Sequence, residues 1–209
     1  MEILAKLFGT EAKVKIMRLF LFNPEKPFSP SDIASRAKVS LPTVRHEVTL
    51  LRKMGMVKGK RFFRMVSVKK GKKMISKKKT EGGWILNRTF PYLPAIQNLL
   101  INTVLIKHSE IVRKLNMVGR MKLVIVSGVF IHKEDSRVDL LVVGDAVRLS
   151  TLENVIRGIE SEIGKELRYA AFETGDFKYR LGMYDKLIRD ILDYPHRVIL
   201  DRLGLPSED

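Results

Sequence analysis

The stretch SGVFIHKEDSRVDLLVVG, Ser127 to Gly144, places an acid, Asp139, at the head of an apolar run. Desolvating a lone carboxylate there is costly, so it needs a partner. Arg137 stands two residues earlier, and in a strand of period two it shares a face with Asp139. The spacing predicts a strand-face ion pair between them. A second set of residues has the types for another task, holding a polyanion. Seven lysines fall between positions 69 and 79: Lys69, Lys70, Lys72, Lys73, Lys77, Lys78 and Lys79. Upstream, Ser40, Pro42, Thr43, Arg45 and His46 gather at the head of an apolar-periodic segment. An arginine there is suited to reading a guanine edge, and a threonine to a phosphate or a thymine methyl.

The charge balance favours the second task. The 209 residues carry a formal net charge of +16. Residues 1–90 hold 22 lysines and arginines against 6 acids, and the remainder holds 17 of each. The whole excess lies in the first part, which is the composition of a polyanion-binding module joined to a neutral one. Apolar residues make up 45% of the chain, enough for real cores. No apolar run reaches the roughly 18 residues of a membrane span, so no membrane partner is expected. The N-terminus MEILAKLFGTEAKVK lacks the apolar core of a signal peptide, and a cytoplasmic location is expected. Four scattered histidines and no cysteine argue against a structural zinc site. No metal and no cofactor is expected.

These residues need elements to position them. Thr10 caps a helix with Val14, Met17 and Leu21 on one face, ended by Asn23-Pro24. Ser29, Pro30 and Asp32 form the head of a short second helix with apolar Ile33, Ala34 and Ala37. Ser40 caps a third, whose Val44, Val48 and Leu51 repeat at helical spacing until Gly55. Two short helices with a tight turn make a helix-turn-helix unit, and the N-terminal residues of its second helix are the ones that reach base edges. VKGKRFFRMVSVKKGKKMISKKK then reads as two strands joined by a Lys-Gly-Lys turn, with Phe63, Met65, Val66 and Val68 as apolar strand positions. Gly82-Gly83 is read as the break that ends the second strand.

Taken together, residues 10–80, and SDIASRAKVSLPTVRHEVTLLRKMGMV within them, resemble the winged helix-turn-helix of bacterial and archaeal transcriptional regulators of the ArsR/MarR-like sort. The resemblance implies a recognition helix carrying Ser40, Pro42, Thr43, Arg45 and His46, and a wing carrying the seven lysines. The wing is longer and more lysine-rich than that family's pattern.

Beyond it, TEGGWILNRTFPYLPAIQNLL reads as a connector with an apolar helix from about Ala95 to residue 106. Trp84, Phe90 and Tyr92 are expected to pack it onto one domain. The neutral part then alternates: helix Ser109–Met117, strand Lys122–Ser127, strand Val138–Val143, helix Thr151–Ile163, strand Leu167–Glu173, helix Phe177–Leu192 with Leu181, Tyr184, Ile188 and Ile191 on one face, and a last apolar stretch, RVIL.

Around Gly128 and Asp139 this part resembles the minimal nucleotidyltransferase fold of the DNA polymerase beta-like superfamily. Those enzymes place a Gly-Ser turn before a strand bearing Asp-x-Asp, whose carboxylates hold Mg²⁺ and a nucleotide triphosphate. Here Gly128 matches the turn glycine, Ser136 the flanking serine, Asp139 the second aspartate and Glu173 the third carboxylate. Val129 stands where the serine belongs and Arg137 where the first aspartate belongs. A guanidinium there removes a ligand and repels the metal, so the resemblance implies a vestigial site.

The expected fold class is α+β: a winged helix-turn-helix at 1–88, a connector at 89–106, and an α/β nucleotidyltransferase-like domain with a small mixed sheet at 107–209. The expected function is a DNA-binding transcriptional regulator, homodimeric through the 95–106 helix or the second domain. Its partner is double-stranded DNA, and the second domain serves as sensor, oligomerisation or partner-binding module. The alternatives are an active Mg²⁺-dependent nucleotidyltransferase targeted by its winged helix, and an RNA-binding protein.

Overall fold

The computed structural model describes residues 2–70, 73–102, 106–133 and 135–205, the side chains of Glu2, 66–70 and 73–75 excepted. The fold class is α+β, and the chain divides into two units: Met1–Thr103 with Ser161–Lys165, and Val104–Glu160 with Glu166–Asp209.

The first unit opens on a helix that the sequence reading did not include, α1 (Glu2–Phe8). Next come α2 (Glu11–Phe22), α3 (Pro30–Ala37) and α4 (Leu41–Lys53). Each starts where its cap is. Thr10 Oγ1 accepts the Lys13 N–H at 3.0 Å, and Ser29 with Asp32 forms a reciprocal capping box. Val14, Met17, Leu21, Ile33, Val44, Val48 and Leu51 are all buried, as their spacing requires. Phe20 and Phe28 meet edge to face at 5.8 Å in the middle of this core. One charged residue lies on the inner side of α4: Glu47 is buried, accepts the Thr10 hydroxyl at 2.7 Å and stands 3.6 Å from Lys13 Nζ. A second, Arg18, is fully buried on α2 and donates from Nε to the Leu100 carbonyl at 3.0 Å. Burial pulls its pKa down to about 10, partly offset by the Glu162 carboxylate, so it remains charged at neutral pH.

A long antiparallel hairpin follows, β1 (Val57–Lys70) and β2 (Lys73–Leu86), paired from Val57↔Leu86 to Lys70↔Lys73. Gly82-Gly83 does not break it; β2 runs through both. The glycine serves close approach instead: a Cβ on Gly83 would lie 2.2 Å from the Phe28 carbonyl oxygen. Phe28 and Trp84 exchange backbone hydrogen bonds of 2.9 Å in each direction, a single antiparallel bridge beside β2.

Arg64 clamps β1 to the head of α3. Its guanidinium bonds Asp32 Oδ2 and lies 3.2 Å from Glu81. Burial alone would push the Asp32 carboxyl up, but hydrogen bonds from Arg64 and Ser29 outweigh it and hold the group below its ordinary value. A depressed carboxyl stabilises the folded form above its unfolded pKa, about 3.9, and that contribution is lost as pH falls through the lower folded value. Acidification below about pH 4 is therefore expected to loosen the hairpin from α3, read by fluorescence of Trp84, the sole tryptophan. Asp32→Asn should remove that part of the acid transition; an unaltered profile would show that the clamp does not control it.

The connector helix, α5, spans Leu93–Leu100 rather than 95–106. It ends where the Ile101 and Asn102 N–H groups both turn back to the Gln97 carbonyl. Leu100 is buried in the first unit's core, and Trp84, Phe90, Leu93, Ile96 and Ile101 pack against it. Leu100 is thus a core residue and not part of a free dimer face. Tyr92, expected to pack as well, is 69% exposed and meets the Phe90 ring edge to face at 5.8 Å.

The second unit contains α6 (His108–Leu115), β3 (Arg120–Val126), β4 (Leu140–Asp145), most of α7 (Leu149–Ile163), β5 (Tyr169–Glu173), α8 (Thr174–Gly182), α9 (Lys186–Leu192) and β6 (Arg197–Asp201). Its sheet runs β5-β4-β3-β6, with β4–β5 parallel and the other pairs antiparallel, so it is the small mixed sheet expected. Residues 123–126 and 140–143 are buried without alternation, the pattern of central strands covered on both faces. RVIL lies within the edge strand β6. The single helix expected over Phe177–Leu192 is two. Tyr184 takes a left-handed φ of 54° and Asp185 caps α9 through the Leu187 and Ile188 N–H groups. Tyr184 leaves the apolar stripe and is 77% exposed, while Ile188 and Ile191 stay buried. No described helix is long and apolar enough to cross a membrane.

Candidate functional site

In the first unit the cap of α4 sets its outer end. Ser40 Oγ accepts the Thr43 N–H at 3.3 Å and meets Thr43 Oγ1 at 2.7 Å. The Thr43 hydroxyl is engaged within the cap, and its side chain is half-buried. Pro42, Arg45 and His46 are exposed on the first two turns, opposite the Val44/Val48/Leu51 stripe that faces the core. That arrangement follows from helical periodicity: residues one and two places from a core position point outward.

On the hairpin Lys77, Lys78 and Lys79 are exposed. Lys72 and the side chains of Lys69, Lys70 and Lys73 lie outside the described residues. The register places Lys78 opposite Met65 and Lys79 opposite Arg64. Strand alternation puts Arg61, Phe63 and Met65 on one face with Lys78. Phe63 and Met65, read from the sequence as apolar strand positions, are 65% and 64% exposed. Lys78 Nζ stands 4.0 Å from the centroid of the Phe63 ring. On that face β2 contributes Lys78 between Ser76 and Thr80, while Lys77 and Lys79 alternate to the other face.

In the second unit the turn after β3 gathers Gly128, Ser136 and Asp139. Asp139 is 1% exposed. Its Oδ1 accepts the Val129 N–H at 3.0 Å and its Oδ2 accepts the Arg168 N–H at 2.9 Å. Arg168 Nε stands 3.5 Å from Oδ2. Gly128, with φ of 55°, donates its N–H to Ser136 Oγ at 3.0 Å. A Cβ at Gly128 would lie 2.0 Å from Asp139 Oδ1, so the carboxylate fills the space that the glycine leaves. Ser127 donates its hydroxyl to the Val138 carbonyl and its N–H to the Asp139 carbonyl. Val129 is buried, a packing position in place of a hydroxyl.

The ion pair expected between Arg137 and Asp139 does not form. Arg137 bonds Asp190 on α9 through Nε at 2.8 Å. The physical reason is that β4 begins only at Leu140, so the two-residue alternation does not extend back through 137–139. Glu173 is also elsewhere. It accepts the Ala146 and Val147 N–H groups at 3.2 and 2.9 Å and ties down the loop after β4. In the β4–β5 register it stands beside Gly144, at the far end of the strands from Arg168 and Asp139. Five residues of parallel strand separate those ends, roughly 16 Å. The expected vestigial set is therefore split: Gly128, Ser136 and Asp139 meet, whereas Arg137 and Glu173 point to other partners. Among the described residues no group of three or more His, Cys, Asp or Glu side chains is placed to hold a metal ion.

No protein-family model, no curated protein and no solved structure matches the chain.

Proposed function

We propose that the chain is a DNA-binding transcriptional regulator whose first unit acts as a winged helix. The observation that carries this reading is the exposed Arg45 and His46 on α4, followed by a hairpin with exposed Lys77–Lys79, in the part of the chain that holds all the excess charge. The order of three capped helices and a hairpin supports it, as does the Arg64 clamp, which holds the hairpin at a set position against α3. A recognition helix contributes base contacts, and a basic hairpin contributes phosphate contacts that set register.

The second unit, in this reading, is a non-catalytic sensor or partner-binding module. Both oxygens of Asp139 accept backbone N–H groups inside a closed turn, which commits the carboxylate to structure. A homodimer reading paired half-sites about one helical turn apart would extend the short readout of one α4.

The test is a selection of bound duplexes from random DNA, followed by affinity measurements with Arg45→Ala. The substitution is expected to cost about 1–3 kcal/mol on the selected site and far less on unrelated duplex. Equal losses on both would reduce Arg45 to a phosphate contact. Tighter binding to RNA of matching sequence than to duplex DNA would overturn the assignment of partner.

A further inference from the structure

The two faces of the β1–β2 hairpin are not alike. Residues paired across an antiparallel ribbon point to the same face, and neighbours along a strand point to opposite faces. Phe62, Arg64 and Glu81 therefore share one face with Lys77 and Lys79, and the Arg64–Asp32 contact turns that face to the head of α3. The other face carries Arg61, Phe63 and Met65 from β1 with Lys78 and Thr80 from β2. We infer that this second face lies against the minor groove of duplex DNA, where Phe63 and Met65 act as apolar wedges that part base steps and bend the helix. The inference rests on the DNA-binding reading and deepens it.

Three observations carry it. The first is exposure. Nearer the base this face packs Val57 and Leu86 into the core, but from Arg61 outward it is uncovered. Phe63 and Met65 stay 65% and 64% exposed, and a Cβ at Gly82, opposite Arg61, would meet nothing within 4 Å. Apolar side chains left bare in neighbouring positions mark a contact surface. The second is charge. Among the described residues this face holds Arg61 and Lys78 and no acid, since Glu81 is on the other face beside Arg64. Cations around an apolar centre complement phosphates around base steps, and they disfavour a second copy of the same face, which would oppose like charges. The third is spacing. The strand pairing is unbroken, so Phe63 and Met65 stand two residues apart on one regular strand, roughly 7 Å. That is about two base-pair rises along the duplex, so the two side chains meet alternate steps. Lys78 Nζ, 4.0 Å from the Phe63 centroid, brings a cation to the phosphates beside the wedge. Lys77 and Lys79 alternate to the other face and take no part in it.

Energy transfer between dyes at the two ends of a duplex of about 30 base pairs reads the bend, using the full chain. The wild type is expected to bend the bound duplex by about 20–90°. Phe63→Ala combined with Met65→Ala should cut that bend about twofold or more, and Phe63→Leu, still an apolar wedge, should keep it. None of these changes removes a charge, so the salt slope of binding should stay that of the wild type. Both side chains are exposed, so the thermal midpoint should hold, and a melting curve checks this. A straight duplex in the wild-type complex, or a bend kept in the double variant, would overturn the inference while leaving duplex binding intact. Sedimentation of the free chain covers the other occupant: a wild-type dimer that the double variant abolishes would give this face to a second copy and overturn the inference. Binding to no duplex would overturn the DNA-binding reading itself.

Discussion

Asp139→Ala is expected to destabilise the second unit by about 2–5 kcal/mol, because it strips the acceptor from two backbone N–H groups at once. The Val129 N–H lies in a buried turn, shielded from bulk solvent; the Arg168 N–H is partly buried. The Arg168 guanidinium adds little to this cost. Its side chain is 54% exposed and rehydrates when its partner goes. Asp139→Asn should recover only part of the loss, since an amide offers one accepting oxygen where the turn uses two. Hydrogen exchange on the intact chain separates the effect by region: amides of β3 and β4 should exchange faster while those of α2 to α4 keep their protection. A change below about 0.5 kcal/mol in the second unit would show that the carboxylate is not structural, and would reopen a role for it in binding.

The second large effect concerns the hairpin. Lys77→Ala, Lys78→Ala and Lys79→Ala combined are expected to flatten the slope of log K against log salt by up to about 2.7, at roughly 0.9 per lost phosphate contact. The loss should be similar on selected and unrelated duplexes, because phosphate contacts carry no sequence information. All three side chains are exposed, so folding should be unaffected. Titrations from low to moderate salt with both duplexes decide it. An unchanged slope removes the hairpin from the interface. A loss confined to the selected site would instead make it a reader of bases.

The first unit was legible to an unusual degree because its signals are local. Thr10, Ser29 and Ser40 each cap the helix they head, and the apolar repeats behind them are buried. The misreadings have two causes, a close approach between residues distant in the chain and a local turn that a helical stripe does not reveal. Gly82-Gly83 carries a turn signal, yet Gly83 is there because the Phe28 backbone approaches it. Phe177–Leu192 has a continuous helical stripe, yet the left-handed Tyr184 and the Asp185 cap divide it.

The candidate sites divide in the same way. Residue types and spacing alone determined the surplus of positive charge in residues 1–90, the exposure of Arg45 opposite a buried stripe, and the need for Asp139 to have a partner. Those follow from periodicity and from the cost of an unpaired carboxylate, and need no knowledge of distant neighbours. The partner itself was decided only by the tertiary structure. Period two ceases before Leu140, so Arg137 turns to Asp190 on a helix some fifty residues on, and Asp139 closes on the N–H groups of Val129 and Arg168. A carboxylate in a tight turn takes whichever donors the fold brings to it, and those donors come from segments that sequence spacing does not connect.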